Sequence, residues 1–185
     1  LVLFDTDEIQ DGLELLAAKI TAMDADILLL QEVDTDSKRS AYIDQVQWLL
    51  DNTAMNYGVY ASMWEVQFVP SDGLGRVNTG NAILSRWPLS EAERIQLSLR
   101  GDQDDLTRAF YVRRNVLRAK VNYPGSLFWA VDIHASAFSN DDTKQKQYLE
   151  FKAVLDELDA RGEQFVAGGD LNELPPGAVK NNYCD

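Results

Sequence analysis

Three short, largely apolar runs that each end in polar residues most constrain what this chain can fold into. They are residues 27–30 before Gln31 and Glu32, residues 128–133 before His134, and residues 165–167 before Gly168, Gly169 and Asp170. Runs of this kind are typical of strands buried on both faces in α/β proteins. Polar residues after such strands stand at the edge of the sheet, where these proteins usually build their sites. The pattern therefore predicts an α/β fold with a functional site at one sheet edge.

The segments between these runs predict both helices and further strands. Apolar residues recur at three- and four-residue spacing over residues 9–23, 43–50 and 142–160, which is typical of amphipathic helices. The segments that favour strands are residues 57–63, 81–86, 113–122 and 127–133. Residues 65–79 and 98–107 contain glycines and many polar residues, so both predict loops. Helices and strands thus alternate irregularly, which favours a layered α/β domain with mixed sheets.

Length and composition point to one globular domain covering residues 1–185. The chain contains no repeat and no change of composition that would mark a linker. Its 45% hydrophobic and 25% charged residues are ordinary for a globular protein and exclude collagen-like, disordered and coiled-coil classes. No stretch approaches the ~18 consecutive apolar residues of a membrane span, so none is predicted.

The charge of the chain restricts its partners. Thirty acidic against 17 basic residues give a formal net charge of -13. Such a field repels polyanions, so a nucleic-acid partner requires a local positive site or bound cations. Cys184 is the single cysteine and predicts no internal disulfide.

The polar residues at the strand ends would form a functional site if they converged, although each also has a purely structural interpretation. Glu32 suits a hard cation such as Mg²⁺ but also suits a solvated strand end. His134, the only histidine, can carry or orient protons or can be a structural hydrogen-bonded residue. Asp170 and Asn172 on an extended segment would lie on one side, where they could orient a water and stabilise a charged oxygen; alternatively, they form a turn.

Four motifs in order resemble the endonuclease/exonuclease/phosphatase superfamily, which includes DNase I-like nucleases, neutral sphingomyelinases and inositol polyphosphate 5-phosphatases. The motifs occupy residues 25–33, 80–89, 114–121 and 166–172. The segment of residues 132–136 looks like the histidine segment of the family in its DNase I form. The resemblance implies a four-layer α/β/β/α sandwich with two mixed sheets.

The resemblance also implies metal-assisted hydrolysis of a phosphoester. By motif match, Glu32 would bind Mg²⁺, with Mn²⁺ as an alternative metal. His134 would contact the scissile phosphate, Asp170 would orient the attacking water, and Asn172 would stabilise the transition state. These assignments suit a reaction in which the protein mainly positions groups and neutralises charge.

Two further residues are candidates for substrate binding. Arg114 matches a family position that can contact phosphate, and its alternative is a solvated strand arginine. Asn81 could touch the site from a neighbouring strand end, and its alternative is an inert strand residue. The substrate itself is left open.

The chain departs from the family pattern at both ends. The family begins with a strand that carries an Asn metal ligand, yet no Asn precedes Asn52 here. It ends with a Ser-Asp-His segment, yet His134 is the only histidine. We therefore expect this domain to lack the first and last strands of the family, the natural protein to continue beyond both ends, and these 185 residues alone to be weakly active or inactive.

The leading interpretation is a Mg²⁺-dependent phosphodiester hydrolase, most simply an endonuclease or exonuclease. A phosphatase or a sphingomyelinase-like phosphodiesterase is the alternative among enzymes. Residues 65–79 and the neighbouring Trp64 would bear on that choice, with Phe68 and Val69 available to meet a lipid or stack on a base unless they are core residues. A non-catalytic binding module with the same fold is the alternative outside enzymes.

Overall fold

A computed structural model describes residues 5–69, 73–137, 139–175 and 177–178 of the chain. The elements in chain order are α1 (Thr6–Met23), β1 (Ile27–Asp34), a 3₁₀ turn (Lys38–Ser40), α2 (Gln45–Asn52), β2 (Tyr57–Val69), β3 (Gly73–Ser85), β4 (Leu89–Gln96), α3 (Asp105–Ala109), β5 (Asn115–Tyr123), β6 (Ser126–His134), α4 (Thr143–Ala160) and β7 (Phe165–Asp170). Cys184 lies outside the described residues. No helix in the described ranges is long and apolar enough to cross a membrane.

The strands form two sheets of three and four strands. The first has the order β1-β3-β2, and both of its pairings are antiparallel. The second has the order β4-β5-β6-β7, with two antiparallel pairings and a parallel pairing between β6 and β7. Parallel neighbours need a crossover, which α4 supplies here. The carboxyl ends of β6 and β7 are consequently at the same edge.

Three clusters of buried side chains hold the layers together. The cluster between the two sheets includes Ala61, Ile83, Leu117 and Ala130. A second cluster packs α4 on the four-stranded sheet, and a third packs α1 and α2 on the three-stranded sheet. The order of layers is therefore helix, sheet, sheet, helix, as the family resemblance implies.

The helices begin and end where local chemistry favours it. Asp5 precedes α1 and accepts a hydrogen bond from the Glu8 backbone N–H at 2.8 Å, while the Glu8 carboxylate accepts one from the Asp5 N–H at 3.1 Å. This reciprocal arrangement is a capping box, which satisfies two backbone donors that the helix itself cannot. Gly162, with a φ of +68°, follows the end of α4, where a left-handed residue closes the last turn.

One predicted loop was wrong, and one strand was not predicted. The described part of residues 65–79 is not a loop: β2 and β3 continue through it as a long antiparallel hairpin. β4 was not predicted, because its sequence is polar and most of its side chains face solvent at a sheet edge. Hydrophobic alternation is weak in both segments, so the pairing with neighbouring strands determines their structure.

Candidate active site

Three of the predicted site residues meet at the carboxyl ends of β1, β6 and β7. His134 and Asp170 are register partners in the parallel pair β6/β7. The His134 Nε2 atom lies 3.6 Å from Asp170 Oδ2 and 4.0 Å from Glu32 Oε1. The Glu32 and Asp170 side chains are 58% and 49% exposed, whereas His134 is 3% exposed. The structure thus places two open carboxylates in front of a buried imidazole.

A bulge in β1 aims Glu32 at this site. The pairing of β1 with β3 shifts register between Leu30 and Val33, and Glu32 has a φ of +57°. Successive side chains of a regular strand point to opposite faces, but a bulge breaks that alternation. Gln31 and Glu32 consequently both approach β6 of the other sheet, where Gln31 donates to Asp132 and Glu32 lies near His134. The sequence pattern alone did not reveal this bulge.

Arg39 forms hydrogen bonds with the bulged segment of β1. Its guanidinium donates to the Glu32 carbonyl at 3.3 Å and to Thr79 Oγ1 at 3.0 Å. It also donates two bonds of 2.8 and 3.0 Å to the buried Asp34 carboxylate. A two-pronged guanidinium–carboxylate pair fixes geometry as well as charge. Arg39 therefore supports the backbone of Glu32.

His134 is neutral at physiological pH. Burial and the nearby Arg114 guanidinium lower the pKa of His134 to about 4, although Asp170 and Glu32 act in the opposite direction. The Nδ1 atom is buried and has no hydrogen-bond partner among the described residues. Because carboxylates only accept hydrogen bonds, the geometry favours the tautomer with the proton on Nε2. The imidazole can therefore donate a hydrogen bond into the site without carrying charge.

Asp170 and Asn172 form a turn at the end of β7. The Asn172 backbone N–H donates to Asp170 Oδ1 at 2.8 Å, and Asn172 has a φ of +51°. The Asn172 amide donates to the Ala135 carbonyl at 2.9 Å, and Lys144 donates to the Asn172 carbonyl at 2.8 Å. Asn tolerates this left-handed conformation. The expected extended segment is therefore replaced by a turn, which still holds both side chains at the edge.

Of the two predicted substrate-binding residues, Arg114 lies beside the site and Asn81 does not. Burial lowers the pKa of Arg114, while the Glu32 and Asp170 charges act to raise it, so the guanidinium flanks the two carboxylates. Asn81 is fully buried and donates to the carbonyl of Asn115 at 3.1 Å, which links the two sheets. The structure does not place Asn81 among the groups open to substrate, because it lies between the sheets.

Asp132 is an important residue that the sequence analysis did not single out. It is fully buried, and its Oδ1 accepts a hydrogen bond of 2.6 Å from Gln31. Its Oδ2 has no partner among the described residues. Burial raises the pKa of Asp132 to about 8. The signal available in the sequence was an acidic residue inside an otherwise apolar strand, which requires a partner or a proton when buried.

We expect Asp132→Asn to change how stability depends on pH. An unfolded Asp ionises near pH 4, whereas folded Asp132 keeps its proton until about pH 8. The native state thus binds more protons between these values, and wild-type stability falls as pH rises through this window. The amide cannot ionise, so the stability of the variant relative to wild type should rise by roughly 2–5 kcal/mol from pH 4 to pH 8. Urea unfolding across this range measures the difference. The exposed Asp156→Asn variant is the control, and parallel curves for Asp132→Asn and wild type would contradict the assignment.

The Glu32 carboxylate has the chemistry and the exposure needed to hold a hard cation such as Mg²⁺. Within the described ranges, no three His, Cys, Asp or Glu side chains form a group that could enclose a metal. Mg²⁺ commonly takes only one or two protein carboxylates and keeps several waters or substrate oxygens. The Glu32 carboxylate is more than half exposed and faces the site. It therefore meets the requirement of an open Mg²⁺ ligand rather than of a closed cage.

The chain matches a known protein family over almost its whole length. The model of the endonuclease/exonuclease/phosphatase family matches residues 7–184. The chain belongs to this family. Members of the family generally hydrolyse phosphoester bonds, typically with a divalent metal. None of the curated protein sequences compared with this chain matches it significantly.

Solved structures show the same fold over part of their length. An endonuclease/exonuclease/phosphatase from Beutenbergia cavernae is 25% identical with a TM-score of 0.68, and the match covers 86% of this chain and 42% of that one. The human Nocturnin catalytic domain is 20% identical with a TM-score of 0.62, covering 90% and 58%. Sphingomyelinase C from Streptomyces griseocarneus is 19% identical with a TM-score of 0.58, covering 91% and 60%. The chain thus spans about half the length of these proteins.

Proposed function

We propose that this protein is a Mg²⁺-dependent hydrolase of phosphodiester bonds, most simply a nuclease. The observation that supports the proposal is the meeting of Glu32, His134 and Asp170 at one edge, with Arg114 beside them. Two carboxylates, a neutral imidazole and a guanidinium supply a metal ligand, a water-orienting base and donors for a phosphate. Phosphoryl transfer depends mainly on such positioning and charge neutralisation.

Each residue has a role in the proposed reaction that suits its environment. Glu32 would hold Mg²⁺, which when bound polarises a phosphoryl oxygen and offsets negative charge. The half-exposed Asp170 carboxylate orients the attacking water, and its Oδ1 is fixed by the Asn172 backbone. Neutral His134 donates from Nε2 to a phosphate oxygen, since its pKa of about 4 keeps it uncharged.

Asn172 and Arg114 stabilise the charge that develops on the phosphoryl group. One N–H of the Asn172 amide is used by the Ala135 carbonyl, which leaves the other to donate to the transition state. Arg114 adds a positive charge next to the two carboxylates. A local cationic group is required because the net charge of -13 otherwise repels an anionic substrate.

A panel of substrates tests the proposed class. The full-length gene product is incubated with plasmid DNA, RNA, sphingomyelin and inositol phosphates, each with Mg²⁺ and with EDTA. We expect Mg²⁺-dependent cleavage of nucleic acid. Cleavage restricted to sphingomyelin or to inositol phosphates would establish the alternative enzymes, and binding without cleavage in any arm would establish the non-catalytic module.

We expect Glu32→Gln to weaken mainly the binding of Mg²⁺. The amide keeps the shape of the side chain but removes the charge that attracts a divalent cation. The Mg²⁺ concentration for half-maximal activity should rise on the order of tenfold or more, since loss of even an outer-shell partner costs about that much. A titration of activity with Mg²⁺ measures this, with the exposed Glu14→Gln variant as control. Equal half-saturation in Glu32→Gln and wild type would remove Glu32 from the metal site.

A further inference from the structure

Three arginines differ from the other arginines of the described chain because they form no ion pair with a carboxylate. Ion pairs with carboxylates are formed by Arg39, Arg76, Arg86, Arg100, Arg108, Arg118 and Arg161. Within the described ranges, none is formed by Arg94, Arg113 or Arg114. In a chain with 30 acidic residues, guanidiniums that form no ion pair with a carboxylate indicate a surface that attracts an anion.

Arg94 and Arg113 line a pocket of about 320 Å³, together with Trp64, Tyr111 and others. Arg94 Nε donates to the Ser62 carbonyl at 2.9 Å, and its Nη2 donates to the Arg113 carbonyl at 3.2 Å. These bonds fix the guanidinium and leave Nη1 available. Glu65 also lines the pocket, but its charge acts on Arg76 and Tyr60 and forms no ion pair with Arg94 or Arg113.

Like charges lie close together in this pocket. Burial and the neighbouring Arg113 lower the pKa of Arg94 below its ordinary value. Two guanidiniums held side by side without a counterion repel each other, and an anion between them removes that repulsion. Arginine is well suited to phosphate because its planar fork matches the geometry of the oxygens.

The pocket adjoins the candidate active site through Met63. The Arg113 backbone N–H donates to the Met63 carbonyl at 2.6 Å, while Arg114 Nη1 lies 3.8 Å from the Met63 sulfur. Arg114 acts on the active-site groups Glu32, His134 and Asp170, whereas Arg113 lines the pocket. Arg113 therefore belongs to the pocket, and the next residue, Arg114, belongs to the candidate active site.

We propose that the Arg94–Arg113 pocket binds a second phosphate group of the substrate, beside the phosphate that is hydrolysed. This inference rests on the proposed function for the position of the first phosphate. The second phosphate belongs either to the next nucleotide of a strand or to a phosphorylated sugar, since both offer the same group to the two guanidiniums. Substrates with a single phosphate leave the pocket empty.

Binding measured without turnover tests the pocket separately from catalysis. Calorimetric titration in EDTA compares a thymidine dinucleotide with and without a 5′-phosphate, and inositol bisphosphate with inositol monophosphate. We expect the second phosphate to tighten binding about tenfold in at least one of these pairs, the effect of one or two charge-assisted hydrogen bonds. The dinucleotide pair identifies a nucleic-acid source, and the inositol pair identifies a phosphorylated sugar.

Substitutions of Arg94 and Arg113 test whether these residues cause the preference for ligands with a second phosphate. Arg113→Gln changes an exposed side chain and should reduce the tenfold preference to about threefold or less, and Arg94→Gln with Arg113→Gln should abolish it. Arg161→Gln removes the same charge at the end of α4, from a residue that does not line the pocket, and should keep the preference. Equal binding within both ligand pairs, or an unchanged preference in Arg113→Gln, would overturn the subsite. A preserved preference without hydrolysis of any substrate would instead overturn only the proposed function.

Discussion

Asp170→Asn should lower turnover by about 10²–10³-fold while leaving the Mg²⁺ requirement within about twofold of wild type. The carboxylate lies 3.6 Å from His134 Nε2 and is half exposed, where it can accept a hydrogen bond from a water. The amide retains one acceptor oxygen, so the 2.8 Å bond from the Asn172 backbone and the turn can persist. What is lost is the charge and the second acceptor, which are needed only when the water is oriented and deprotonated.

Single-turnover kinetics on bis(p-nitrophenyl) phosphate, with Mg²⁺ titrated for each variant, separate these effects. Asp156→Asn, a change of the same chemistry on an exposed face of α4, should match wild type. Thermal unfolding confirms that Asp170→Asn is folded. Turnover within twofold of wild type in that variant would show that Asp170 does not orient the water.

Gly169→Ala should have the largest effect on folding. Gly169 has a φ of +133°, a conformation that residues with a side chain rarely adopt. A Cβ atom there would overlap the Ile133 carbonyl oxygen and lie 2.8 Å from Asp132 Oδ1. Backbone cannot move aside without breaking the β6/β7 pairing. We expect destabilisation of at least ~3 kcal/mol, a large share of the stability of an ordinary domain.

The neighbouring Gly168→Ala variant is the matched control. A Cβ atom at Gly168 would meet only the end of the Leu29 side chain, at 3.3 Å. That side chain can shift, so the cost should be about 1 kcal/mol or less. Urea unfolding of both variants measures the difference. Equal destabilisation by the two substitutions would contradict the close approach of β7 to β6.

The sequence alone predicted most of the layered fold. The apolar runs at residues 27–30 and 165–167 became β1 and β7. The expectation that β7 is buried on both faces was wrong, because β7 is the last strand of its sheet and Val166 is 49% exposed. The helical periodicity over residues 9–23 and 142–160 became α1 and α4. The pattern failed for β4 and for the outer part of the β2/β3 hairpin, where solvent-facing strands carry polar residues.

For the candidate site, the sequence determined which residues stand at strand ends, and the tertiary structure decided how they meet. Glu32 is 102 positions from His134 in the chain, but the bulge in β1 turns its carboxylate toward the second sheet. Asn81, which the sequence placed at a strand end, is instead buried between the sheets.

Only the tertiary structure could show that Asp132 is a buried carboxyl and that Arg94 approaches Arg113. Asp132 meets Gln31 across the two sheets, and Arg94 reaches the Arg113 backbone from a different strand. Burial and distance between charges depend on packing between segments that are remote in sequence. The identity of a residue fixes which charge it can carry, but its surroundings decide whether that charge is kept, paired or left open to a ligand.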